Sequence, residues 1–183
     1  MDVNDQSFSN PAAFRIERRA VGFAMVLAAV ISVITLGFAT SIAYSELPAQ
    51  FDVRIEHALR LELIVVAWLA ATIANVARLR FFSARDIGGG LDSQSIKVGE
   101  ARAVLQNTLE QVVLAALAHF VVAASFNPSA PFITALVALF SVGRLLFWVG
   151  YSRGAKARAL GFALTFYPSV IALFGSAFVI VAR

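Results

Sequence analysis

Five stretches of the chain stay apolar for long enough to cross a lipid bilayer. A helix needs about 20 such residues to span the hydrocarbon. Val21–Ala43 is a run without a charge. The second run, 58–77, carries Arg60 and Glu62 near its start. The third, 103–125, holds Gln106, Asn107, Glu110, Gln111 and His119. The fourth, 131–150, contains Arg144, and the fifth, 159–181, is uncharged but interrupted by Pro168, which a membrane helix tolerates. None alternates with period two, so the pattern predicts helices and not the strands of a barrel. The expected architecture is all-α integral membrane, with helices at about 21–43, 58–80, 101–125, 131–151 and 157–181.

Two connections read as short: Tyr44–His57, and Phe126–Ala130 with Asn127-Pro128 as a turn signal. The longest, Arg78–Arg102, contains Gly88-Gly89-Gly90 and is expected to be flexible. Charge adds a direction. Arg15, Arg18 and Arg19 precede the first run. Arg78, Arg80, Arg85, Lys97 and Arg102 follow the second, and Arg153, Lys156 and Arg158 follow the fourth. These alternate segments hold eleven of the fifteen positive residues. The positive-inside rule therefore predicts a cytoplasmic N-terminus and an outer C-terminus. Ser41-Ile42-Ala43 also resembles a signal-peptide cleavage site, but an apolar run of 23 residues exceeds the usual signal core of about 7–15, which favours a retained helix.

Composition agrees: 60% of the 183 residues are hydrophobic and 14% charged, and the mean hydropathy is +0.80. A soluble domain is about 45–50% apolar and about 25% charged. The net charge of +4 reads as basic membrane-flanking loops, not as a nucleic-acid surface. With no cysteine and two histidines, disulfides, thiolate metal sites, cysteine catalysis and a histidine-rich metal site are excluded.

A charge within the hydrocarbon costs at least about 2.5–3.5 kcal/mol and marks a functional-site hypothesis. Glu110 lies eight residues past Arg102, and Arg144 seven before Tyr151, so both sit about 10–12 Å from the same inner boundary. Their helices are antiparallel neighbours, and an ion pair between them is expected, structural or functional. Asn107 shares a face with Glu110, and Phe147 and Tyr151 share one with Arg144. With Arg78, Arg80 and Arg153–Arg158 on the same side, the sum is a cation-rich pocket fit for a small anionic ligand beside lipid. The loop arginines have a plainer reading too, as contacts to anionic head groups. Arg60 and Glu62 are expected to snorkel outward, and His119 to make an interhelical hydrogen bond or fill space.

Three segments carry a family resemblance: Val76-Ala77-Arg78-Leu79-Arg80, Asn107-Thr108-Leu109-Glu110, and Gly143-Arg144-Leu145-Leu146-Phe147-Trp148-Val149-Gly150-Tyr151. In order and at these depths they resemble the MAPEG family, membrane-associated proteins of eicosanoid and glutathione metabolism. The resemblance covers 54–181 and divides the chain into an N-terminal segment, 1–50, with an extra helix, and a four-helix domain, 51–183. It implies homotrimers that hold glutathione between subunits near the cytoplasmic side. Asn107, Glu110 and Tyr151 would then contact the peptide, with Arg144 helping to place its carboxylates. Arg78 would reach in from the neighbouring subunit, and Arg158 would stabilise the thiolate. The implied activity is a glutathione-dependent transferase or peroxidase acting on lipophilic electrophiles that arrive through membrane lipid. A non-catalytic lipid- or partner-binding member of the fold is the alternative, with Ala103 and Phe147 as its supporting features. A small transporter using Glu110 is a third reading. The absence of a eukaryotic targeting signal points to a bacterial inner membrane.

Overall fold

The computed structural model describes residues 11–89 and 95–182. Five helices follow one another: α1 Pro11–Ala43, α2 Phe51–Phe81, α3 Ile96–Ser125, α4 Ala130–Gly150 and α5 Ala155–Val181. All five are long and apolar enough to cross a membrane, and the described residues contain no strand. Large apolar side chains such as Phe23, Phe38, Leu63, Phe174 and Phe178 stand exposed around the bundle, as lipid-facing residues do.

The helices outrun the apolar stretches that predict them. α1 begins at Pro11 and α2 at Phe51, so the first connection spans 44–50 and not Tyr44–His57. Charged residues end an apolar run, but they are good helix formers and carry the helix on into the interface. The far-end connections are tied together: the Ala49 amide donates to Asn127 Oδ1 at 2.9 Å, and Arg54 donates to the Phe126 carbonyl. At the Arg-rich end, Ser95 caps α3 by accepting from the Val98 amide. Asp86 anchors that cap, accepting from the Ser95 amide at 2.8 Å and the Ser83 hydroxyl at 2.6 Å. Those hydrogen bonds hold its carboxyl below the usual range. Gly88 and Gly89 of the glycine run are described, whereas Gly90 and the next four residues, where flexibility was expected, lie outside the described residues.

The core runs between α2, α3 and α4 through Val65, Val112, Val122, Ile133, Leu136 and Phe140. Hydroxyls inside the spans are satisfied by their own helices: Ser32 donates to the Ala28 carbonyl, Thr108 to Val104 and Ser169 to Thr165. α4 and α5 pack most closely. A methyl added at Gly143 would lie 2.7 Å from Thr165 Cγ2 and 2.9 Å from the Gly161 carbonyl. One at Gly161 would strike the backbone of Phe147, and one at Gly150 the carbonyl of Ala157. Glycine at these three positions lets two backbones meet, the usual device where lipid gives no hydrophobic drive to association. A short 3-10 turn, Tyr151–Arg153, and Gly154 at φ 98° then reverse the chain into α5.

Candidate functional site

The close α4–α5 seam sets the geometry of Arg144. Its guanidinium is 1% exposed and lies between helices. Nη1 donates to Asn107 Oδ1 on α3 at 2.9 Å, and Nη2 to Thr165 Oγ1 on α5 at 2.7 Å. The Thr165 hydroxyl donates to the Phe162 carbonyl at 2.8 Å, leaving its oxygen free to accept. The Phe147 ring lies 4.6 Å from the guanidinium carbon and that of Phe140 5.9 Å. Nε has no partner. A buried cation is thus held by two neutral oxygens and two aromatic faces, with no carboxylate among the described residues.

The expected Glu110–Arg144 ion pair does not form. Glu110 is exposed on α3, where it accepts from Gln106 Nε2 at 3.0 Å. Three residues along a helix amount to a rotation of about 60°, enough to turn Glu110 outward while Asn107 faces Arg144. Because arginine only donates, its bond fixes the amide of Asn107: Oδ1 points to Arg144 and the NH2 group is left for other work.

Asn107 opens onto a chamber of about 450 Å³ at the Arg-rich end of the bundle. Its polar lining is Asn107, Tyr151 and Arg158, and its apolar lining includes Ala103, Phe147 and Phe162. The Arg158 guanidinium carbon lies 4.5 Å from the centre of the Tyr151 ring, and Tyr151 meets Phe147 edge-on at 5.5 Å. Arg144, Phe147, Tyr151 and Arg158 therefore form one file, a buried cation and a rim cation joined by two rings. Phe147 also screens Arg144 from the chamber, and Asn107 is the side chain that both bonds Arg144 and lines the chamber.

Of the residues singled out in the sequence, Asn107, Tyr151 and Arg158 line this chamber, and Arg144 stands behind it. Glu110 and Arg78 do not line it; Arg78 is exposed at the end of α2 and donates to Asn75 Oδ1 at 3.1 Å. Tyr151 has a second side, toward a cavity of about 210 Å³ where Asn75, Lys97 and Glu100 meet.

A second buried polar pair lies farther along the bundle. His119 Nδ1 on α3 and Glu62 Oε1 on α2 are hydrogen bonded, at 1% and 6% exposure, while Glu62 Oε2 has no partner. Glu62 therefore does not snorkel. Arg60 does turn out and pairs with Glu56. The sequence signal was present in each residue, an ionisable group inside an apolar run, but the residues stand 57 apart and nothing local joins them.

A search of curated proteins and a search of solved structures each gave no match. The model of the MAPEG family matches residues 61–178, more than half of the chain, from within α2 to within the last turn of α5. Members are generally trimeric membrane proteins that use glutathione, and some are non-catalytic. The match takes in the Arg144 cluster and most of the chamber lining, and by it this chain, an integral membrane protein of five helices, belongs to the MAPEG family.

Proposed function

We propose that the chain is a glutathione-dependent transferase or peroxidase acting on lipophilic electrophiles, with the chamber as its site. The observation that carries this reading is the Arg144–Asn107–chamber–Arg158 arrangement: a donor pair aimed by a buried cation on one side, a rim cation on the other. The residues fit the peptide. Asn107 offers an NH2 group to a carboxylate or peptide carbonyl, and the guanidinium of Arg158 suits an anion. Tyr151 supplies a hydroxyl and a ring against which a flexible ligand can lie.

Glutathione, when bound, supplies a thiolate that forms a sulfur–carbon bond while the leaving group departs with its electron pair. The chain's part is electrostatic and positional. A free thiol has a pKa of about 8.5, and a nearby cation lowers it toward neutrality. Arg158 is the cation placed to do so, with the proton passing to water at the rim. Asn107 holds the ligand's polar end, and Arg144 is a positioning residue that fixes the Asn107 rotamer. In this reading the Arg-rich end faces the cytoplasm of a bacterial inner membrane.

Exposed features support a homotrimer. Gln106 and Glu110 project from the middle of α3, where lipid is a poor solvent for both. Ala67, Ala70, Ala74 and Ala77 form an exposed small-residue stripe on α2, fit for close approach of another helix. In such an assembly Glu110 and Arg78 gain the neighbour that a single chain lacks, and Arg78 can serve a chamber other than its own.

A lipid-binding, non-catalytic role is the second reading. An apolar cavity of about 290 Å³ between Leu36, Val122, Phe132 and Ile171 favours it, since an acyl chain suits that lining. Calorimetry on detergent-purified protein separates the two. Saturable glutathione binding, weakened at least about tenfold by Arg144→Ala, is expected for the transferase. No binding at millimolar glutathione overturns it in favour of the lipid-binding member.

A further inference from the structure

We propose that α1 is the wall of the chamber that selects the lipophilic second substrate, with Met25 as the residue that sets its length. This rests on reading the chamber as a thiol-transfer site. The family match begins at residue 61, so α1 lies outside the matched region.

The face of α1 toward the bundle has two parts. In its middle and far portions Ala28, Ser32 and Ala39 are buried. There the helix lies close along α4 and α5, and Ala28 packs with Leu139, Ala163 and Leu164. Following the same face toward the Arg-rich end gives Met25 and then Val21, a spacing of 4, 3 and 4 residues. Here α1 makes no close backbone approach to α3, and the space left between the two helices is the chamber. Met25 and Val21 thus face Asn107 and Tyr151 across it.

The chamber therefore has two chemically different sides. Asn107, Tyr151 and Arg158 form the polar one, which the peptide thiol takes. Val21 and Met25 of α1 form the apolar one, which is left for the electrophile. Met25 lines the chamber and is still 40% exposed, so the chamber is open at this side chain. A substrate dissolved in lipid passes this side chain, and an unbranched thioether yields to a guest more readily than a branched one.

The substrates that test this are α,β-unsaturated aldehydes of increasing alkyl length. The thiol sulfur adds to the β-carbon, the double-bond electrons move onto the carbonyl, and the α-carbon takes a proton from water. Full-length protein, Met25→Ala and Met25→Trp are compared in nanodiscs. We expect Met25→Ala to move the optimum kcat/KM to longer chains. Met25→Trp should lower kcat/KM for the longest aldehyde by about tenfold or more and leave the shortest within about twofold. Glutathione Kd should be unchanged in both. An identical length profile in all three proteins, with turnover intact, overturns the proposal. Displacement of a fluorescent alkyl probe, without glutathione, reads the wall directly. If glutathione fails to bind, the thiol-transfer reading falls, and the probe still decides whether Met25 borders the apolar site: Met25→Trp must weaken it, and no change overturns the proposal.

Discussion

Arg144 brings a permanent charge into the bundle and receives only neutral oxygens in return. Such a cation is costly unless a carboxylate meets it. Asn107→Asp supplies one at 2.9 Å from Nη1. Stability should rise by about 1 kcal/mol or more, seen as a Tm increase of about 2–4 °C in detergent. Glutathione affinity should fall at least about tenfold, because the NH2 donors vanish and a negative charge faces the ligand. Opposite signs in the two readouts are the signature of a residue kept for binding at the expense of stability. Single residues were legible in the sequence where one helix carries the relation. The spacing of Arg144, Phe147 and Tyr151 already places them on one face, and the rings do touch. Relations between helices were not: the phase of α3 against α4 decides whether Arg144 meets Asn107 or Glu110, and no periodicity within one segment reports it.

Among the elements, the α4–α5 seam places Arg144 and Thr165. It depends on Gly143, Gly150 and Gly161, each facing backbone of the other helix. A methyl at Gly161 must push the helices apart and draw Thr165 from Arg144. Gly161→Ala should therefore cost about 1–3 kcal/mol, measured by thermal unfolding in detergent, and should weaken glutathione binding too. Gly22→Ala is the control, since an added methyl there meets nothing within 4 Å, and it should be neutral or slightly stabilising. Five apolar runs foretold five helices because lipid demands length and lack of charge, and both are written locally. Helix ends came out longer, since Arg15 and Asp52 stop a hydropathy count without stopping a helix. The glycine contacts were hidden for the reason that hid the Arg144–Asn107 bond: they belong to a pair of helices at one rotation.

Seen whole, a single chain leaves its α2 and the middle of α3 with surfaces suited to more chain. The small-residue stripe on α2 is the most sensitive place to ask whether copies meet there. Ala74→Trp should split the assembly, with light scattering of the detergent complex falling from the mass of several chains to that of one. A mass unchanged by the substitution would move the interface elsewhere. The basic loops let the sequence propose a direction by counting, while surfaces suited to assembly are displayed only by the folded chain. One further consequence follows from where α1 packs. It lies along α4 and α5, and it approaches the backbones of neither α2 nor α3. During synthesis α1 therefore waits longer than any other of these helices for its neighbours. At about 5–20 residues per second its partners emerge on the order of ten seconds later. Through that interval Ser32 keeps its hydroxyl on its own helix, so α1 waits in lipid with no unmet hydrogen bond there, a stable guest before it becomes a wall.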